Sequence, residues 1–209
     1  DNDTIATSGF VMAQVAEEIL TELENKFLET GKPNHLTFVH AAGQGNGNGG
    51  AMDHVAHEGL IKRIVAGHFN LAPKLGALVN SNAIEAYNLP QGTISQWFRA
   101  VGGRRPVMIT KVGIQTFVDH RLDGGKISSK STEDLVELMN IDGEEYLRYK
   151  QFPINVAIIR GTTADTVGNI SCEDDIASGE VLGIAQAAKA SGGIVIAQVK
   201  LIAEVGSNN

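Results

Sequence analysis

Leu36-Thr37-Phe38-Val39-His40, running into Gly43-Gln44-Gly45-Asn46-Gly47-Asn48-Gly49-Gly50, decides how the fold is read. The first five residues form a continuous apolar run, not an alternating one. That is the mark of a strand covered on both faces, as in a parallel sheet. The glycines then supply a loop at the strand's carboxyl end. Similar runs recur at Ile84 to Asn88, Val107 to Lys111, Val156 to Arg160 and Ile194 to Val199, with a short β-prone run at Thr4 to Ala6 and a weaker one at Tyr146 to Tyr149.

Helical spacing fills the intervals. Val11, Val15, Ile19, Leu20 and Leu23 recur at three or four, opposite Glu17, Glu18, Glu22 and Glu24, and predict a helix over 11–29 that Gly31-Lys32-Pro33 ends. Val55, Leu60, Ile64 and Val65 predict a helix over 53–66. Further helices are predicted at Pro73 to Asn80, at Thr93 to Val101 after the turn Pro90-Gln91-Gly92, and over 180–190. A short helix is expected to start at Ser131 or Thr132, and residues 119–130 and 161–175 read as loops. Alternating strands and helices give an α/β fold: a mainly parallel sheet with helices on both faces.

The 209 residues suit one domain with a real core, and 43% apolar with 20% charged residues is ordinary globular usage. Cys172 is the single cysteine, which excludes an intrachain disulfide framework and a Cys-rich zinc module, and points to a reducing, cytoplasmic setting. No run of about 18 apolar residues occurs, so no membrane span is expected. Acidic residues outnumber basic ones 24 to 17, and Arg104-Arg105 is too short a basic patch for nucleic acid. The chain opens at Asp1 without Met and closes on Gly206-Ser207-Asn208-Asn209, which reads as the start of a loop, so truncation at both ends is expected.

Several segments could carry chemistry. Ser8-Gly9-Phe10 lies between a strand and a helix, where free backbone N–H groups could hold an anion or oxyanion, or where the chain simply turns. Gly45-x-Gly47-x-x-Gly50 has the strand–loop–helix frame of a dinucleotide fingerprint, but no Asp or Glu follows at residues 66–74 and no Lys-Ser/Thr follows the glycines. A pocket loop fits better. His54-x-x-His57 could pair on a helix face, but a third metal ligand is lacking, so no metal is assigned. Gln91-Gly92 sits at the end of the strand 84–88, where ligands of parallel sheets bind, and Gly113 follows the strand 107–111 in the same way. No G-x-S-x-G elbow and no in-chain acid/base pair at strand ends is found.

Taken together the chain resembles the family I CoA-transferases, most closely the acetate/propionate and 3-oxoacid type. Asp1 to Phe10, His57-Glu58-Gly59-Leu60, Gly67-His68, Ala72-Pro73-Lys74, Tyr87-Asn88-Leu89-Pro90-Gln91-Gly92, Thr116-Phe117-Val118-Asp119, Gly124-Gly125-Lys126, Asp142 to Leu147 and Ile159 to Asp165 carry the resemblance. It implies that residues 1–209 are one CoA-transferase-like lobe, the amino-terminal or α half. It implies coenzyme A as a substrate, with no permanently bound cofactor, and acyl-CoA and short-chain carboxylates as ligands. The expected reaction passes through a glutamyl-CoA thioester whose glutamate lies on a carboxy-terminal half or β subunit, the complete enzyme being a homo-oligomer. By the same carry-over, Gln91 and Gly92 would contact the glutamate or carboxylate, Ser8, Gly9 and Phe10 would line the acyl pocket or supply oxyanion amides, and Gly113 would form its rim. Residues 171–180 match poorly. From the residues alone, a non-catalytic module binding a small molecule or sugar phosphate stays open.

Overall fold

The computed structural model describes residues 1–177 and 179–205. Ser178 of the 171–180 segment and the terminal loop expected at Gly206 to Asn209 lie outside the described residues. The main sheet has seven strands. Six follow the order β10 (Ile194–Ala203), β8 (Val156–Asp165), β1 (Thr4–Thr7), β2 (Leu36–His40), β3 (Ile61–Ala66), β4 (Glu85–Asn88), and β9 (Ile170–Ser171) pairs with β8. Every pair along the six-strand path is parallel, and only β9 is antiparallel.

The continuous apolar runs do what their pattern implies. Phe38, Ile64, Ala86 and Ile158 join the core beneath α1 (Glu17–Thr30) and α2 (Pro73–Asn80), with Leu20, Leu75 and Val79. Val39, Val65, Tyr87 and Ile159 join the opposite core beneath α3 (Gln91–Gly102) and α4 (Val181–Ala190), with Ile94, Trp97, Phe98 and Ile184. Neighbouring residues of a strand point to opposite faces, so both faces need apolar side chains when helices cover both. No helix among the described residues is long and apolar enough to cross a membrane.

The sequence reading needs five corrections. Residues 53–66 are not a helix: a 3-10 turn at Ala51–Asp53 precedes β3. Spacing of apolar residues there fits both periods, and insertion between two parallel partners decides for the β-branched run Ile61 to Val65. The first helix starts at Glu17, because Val11 is drawn into hydrogen bonds with the glycine loop, Ala13 with Phe10, and Gln14 with the Ser8 hydroxyl. No helix starts at Ser131 or Thr132; β6 (Val136–Ile141) follows and pairs with β7 (Glu144–Tyr149) across Asp142-Gly143, both at positive φ as a type I′ hairpin turn requires. The strand at 107–111 is β5 (Met108–Thr110), and it pairs antiparallel with β7 in a second, three-stranded sheet. Residues 161–165 are not loop but the continuation of β8, paired to the end of β10.

The second sheet is fastened to the first. Arg63 of β3 bonds Glu85 at 2.6–2.8 Å and Glu133 at 2.8 Å, with its guanidinium 5.6 Å from the Tyr87 ring. Glu133 also pairs with Lys150. The Trp97 indole N–H donates to the Lys150 carbonyl at 3.0 Å.

Candidate functional site

The carboxyl ends of β1 to β4 meet in one corner of the lobe. The sheet path reverses at β1, with β2 to β4 following on one side and β8 and β10 on the other, and such switch points are where open α/β sheets bind ligands. Four short segments assemble there.

The first is Ser8-Gly9-Phe10. The Ser8 N–H donates to the Ile158 carbonyl at 3.1 Å, and its buried hydroxyl donates to the Gln14 carbonyl at 3.1 Å while accepting from Arg160 N–H at 3.3 Å. The Phe10 N–H donates to the Ala13 carbonyl at 2.9 Å. Of the three amides, only that of Gly9 has no hydrogen bond among the described residues. Gly9 has φ +144, and a Cβ there would lie 2.7 Å from Val15 Cγ2, so the position requires glycine. Phe10 projects into solvent, 61% exposed.

The second is the loop 43–50, interlocked with the first. Val11 N–H donates to Gly43 O at 2.8 Å, and Gly45 N–H donates to Val11 O at 2.9 Å. The Gln44 amide answers Thr7 with two bonds, Thr7 hydroxyl to Oε1 at 3.0 Å and Nε2 to the Thr7 carbonyl at 3.1 Å. Val11, Gln14 and Ala51 all adopt positive φ, at 57°, 57° and 54°. Left-handed backbone in non-glycine residues costs roughly 1–3 kcal/mol each and gathers at functional sites.

The third is Gly67-His68 after β3. Gly43 leaves room for His68, whose Nδ1 would be 2.6 Å from a Cβ at Gly43. Behind them His40 is fully buried. Its Nδ1 donates to the Ala42 carbonyl at 2.6 Å, which fixes the tautomer and leaves Nε2 as an acceptor without a partner among the described residues. Burial foremost, opposed by that hydrogen bond, pushes the ring down to about 4, so it stays neutral.

The fourth is Gln91-Gly92, and it sits differently from the sequence expectation. Helix α3 starts at Gln91 with Pro90 as its cap, so both residues belong to the first turn and not to a preceding loop. The first hydrogen bond of the helix runs from Ile94 N–H to the Pro90 carbonyl at 3.0 Å. The amides of Gln91, Gly92 and Thr93 therefore precede the ladder, at the positive end of the helix dipole. A Cβ on Gly67 would lie 2.3 Å from Gln91 Cγ, so the absent side chain of Gly67 is what seats Gln91.

Gly113 has Tyr149, Leu147 and Val118 as its nearest neighbours. It follows a strand of the second sheet, so the parallel-sheet argument that nominated it does not apply. A Cβ there would meet the Tyr149 hydroxyl at 2.8 Å. Tyr149 donates to the Val112 carbonyl at 2.7 Å, and burial pushes its phenol up to about 12.

Sequence reasoning offered His54 and His57 as a metal pair on a helix. They flank a carboxylate instead: Glu24 of α1 reaches His54 Nδ1 at 2.5 Å and His57 Nε2 at 2.6 Å. It also passed over Asp53, fully buried, whose Oδ1 accepts the Lys74 and Leu75 amides at 2.8 and 3.2 Å and caps α2 from outside the helix.

A doubly covered parallel sheet with glycine turns and a helix N-terminus converging at its strand ends is an α/β ligand-binding lobe. The chain belongs to the coenzyme A transferase family, whose model matches residues 1–209. A caffeate CoA-transferase of Acetobacterium woodii is 44% identical over 200 residues, covering 96% of this chain and 38% of that protein. The crystal structure of an acyl-CoA transferase from Escherichia coli O157:H7 (YdiF), a thioester complex with CoA, superposes with a TM-score of 0.96 at 36% identity, covering 99% of this chain and 41% of that one. Glutaconate coenzyme A-transferase from Acidaminococcus fermentans shares the fold, with a TM-score of 0.74 at 16% identity over 98% of this chain and 64% of its own. The chain thus spans about two-fifths of the length of the first two relatives.

Proposed function

We propose that this lobe forms half of the active site of an acyl-CoA:carboxylate CoA-transferase. The observation that carries the reading is the convergence of Gly9, the loop 43–50, Gly67 and the first turn of α3 at the strand ends of a lobe so similar to one solved as a CoA thioester complex. A glutamate outside residues 1–209 attacks the acyl-CoA carbonyl, the C–S bond breaks, and CoA thiolate leaves an acyl-glutamyl anhydride. The thiolate then attacks the glutamyl carbonyl, releasing the first carboxylate and forming the glutamyl-CoA thioester. The second carboxylate enters by the reverse steps and leaves as the new acyl-CoA.

In this scheme the lobe supplies no nucleophile. The free amides at the start of α3 and at Gly9 face negative charge as each tetrahedral oxyanion develops, and Gln91 offers an uncharged donor and acceptor to the reacting carboxylates. Ser8 and Phe10 would shape the pocket, with Ser8 bracing it from within. Gly113 would act from the rim, through Tyr149. Coenzyme A is a substrate, and the partner is the remaining half of the enzyme in a homo-oligomer. The acyl groups are short-chain carboxylates. Because a 44% identical relative is named for caffeate, the acceptor panel runs from acetate, propionate, butyrate and acetoacetate to caffeate.

Residues 1–209 alone are expected to show no acyl-CoA:acetate exchange, whereas the complete protein exchanges; turnover by the lone lobe would overturn the reading. In the complete protein, Gln91→Ala should lower kcat about 10-fold or more, as loss of a positioned polar contact commonly does. Unchanged kinetics would remove Gln91 from the site.

A further inference from the structure

We propose that Glu17 and His54 are positioning residues for the loop 43–50, clasping it through a half-buried charge pair that lets go when His54 loses its proton. The role in catalysis rests on the reading of that loop as a pocket wall. The clasp itself rests on geometry. Glu17 Oε2 accepts the Ala51 N–H at 2.9 Å, at the left-handed residue that closes the loop. Its Oε1 lies 3.1 Å from His54 Nε2, and His54 Nδ1 lies 2.5 Å from Glu24 Oε2. Carboxylates only accept, so both ring nitrogens of His54 must donate for both bonds to exist, and only the imidazolium does so. A neutral ring would turn a lone pair toward one carboxylate.

Three neighbouring elements surround this ring. From α1 come Glu17, Glu24 and Thr21, whose hydroxyl is committed to the Glu17 carbonyl at 2.9 Å and stands 3.4 Å from His54 Nε2. From the following segment comes His57, held by Glu24 and packed on Phe27 at 6.1 Å between ring centroids. From the 3-10 turn comes Asp53, engaged with the amides of α2, and from α2 itself Lys74, whose Nζ is 4.0 Å from where a Gly49 Cβ would be. Asn46 braces the loop from inside, its Oδ1 accepting the Asn48 and Gly50 amides at 2.8 and 3.1 Å. Glu17 is the outer brace, 3.0 Å from where a Gly50 Cβ would be.

Burial opposes the charged form of His54, but its hydrogen bonds to Glu24 and Glu17 outweigh it and raise its pKa above the usual histidine value. A pKa raised by folding means that the clasp is complete below about pH 6.5 and is lost as pH climbs through the raised value. The loop therefore loosens on the alkaline side.

The test is hydrogen–deuterium exchange of the segment 43–53 in the complete protein without substrate, corrected for intrinsic exchange, from pH 6 to 9. Protection should fall about 10-fold as His54 deprotonates, the scale of one charge-assisted hydrogen bond. In Glu17→Gln, the amide oxygen still accepts from Ala51 while the amide N–H can donate only to a neutral Nε2, so protection should not fall as pH rises. A residue with a merely structural role would shift protection equally at every pH. Identical pH courses for wild type and Glu17→Gln would overturn the proposal. If Glu17→Gln does not fold, NMR titration of His54 in the wild type decides: a midpoint above 6.5 supports the clasp, and one at or below it refutes the clasp. Exchange is read without turnover, so a protein with no CoA-transferase activity would sink the functional reading and leave this one standing or falling on its own.

Discussion

Gly67→Ala should cost the complete enzyme about 100-fold in kcat/KM, more than removal of the Gln91 side chain itself. The added methyl would lie 2.3 Å from Gln91 Cγ, 2.4 Å from the Ala41 carbonyl oxygen and 3.2 Å from Gln91 Cα. Ordinary contact begins near 3.5 Å, so something must move by about 1 Å, and a displacement of that size at a reacting centre can cost about 10²-fold. The Ala41 carbonyl cannot yield freely, because it accepts the Gly67 N–H at 3.1 Å. Gln91 and the first turn of α3 are left to shift, taking their free amides with them. Gly92→Ala is the paired control. Nothing lies within 4 Å of its Cβ position, and alanine is the better helix former by about 1 kcal/mol. Stability should hold or rise, so any activity lost there reports substrate needing that space. Steady-state kinetics of both variants, with thermal melts beside them, decide the matter. Near-wild-type kcat/KM in a folded Gly67→Ala protein would show that the placement of α3's first turn is not critical.

Gly45→Ala should be the most destabilising of the glycine changes, by about 3 kcal/mol, combining overpacking with a backbone conformation that alanine resists. Its Cβ would lie 2.0 Å from the Leu71 carbonyl oxygen and 2.5 Å from the Leu71 carbonyl carbon. Neither neighbour is the flexible end of a side chain. The backbone is pinned from both sides, Gly45 N–H to Val11 O and Gly47 N–H to Leu71 O, each at 2.9 Å. Relief would require breaking one of these bonds. Gly47→Ala isolates the conformational part: its φ is +71 and nothing lies within 4 Å, so only the left-handed penalty of about 1–2 kcal/mol applies. Chemical denaturation of the two variants should separate their midpoints in that order. Equal losses would mean that the clash is absorbed and that strain alone acts.

The α/β class and its two covered faces were legible in the continuous runs at Leu36 to His40 and Val156 to Arg160, because burial on both sides leaves no polar face to alternate. The strand Ile61 to Ala66 was not, because over so short a stretch Leu60, Ile64 and Val65 satisfy a helical spacing equally well. Of the second sheet, the runs at Val107 to Lys111 and Tyr146 to Tyr149 were legible, but β6 and the antiparallel pairing were not, because Val136 is the one buried residue of β6 and no covered face shows in its pattern. At the site, the approximate places of Gly9, Gln91 and the loop 43–50 followed from their being at strand ends. The pairing of His54 with Glu17 and Glu24 did not, because residues 30 to 37 apart along the chain carry no mark of their contact.

The amino-acid sequence by itself settled what is set by neighbours along the chain: which stretches are buried on both faces, where glycine interrupts them, and the family to which residues 1–209 belong. The tertiary structure decided what depends on distance in space. It consumed the Ser8 and Phe10 amides inside the fold and left those of Gly9 and of α3's first turn without a partner among the described residues. It set Gly113 beside Tyr149, and it made Gly67 the seat of Gln91. A glycine has no side chain from which a role can be read, so its importance appears only when the atoms that would collide with a methyl are in place.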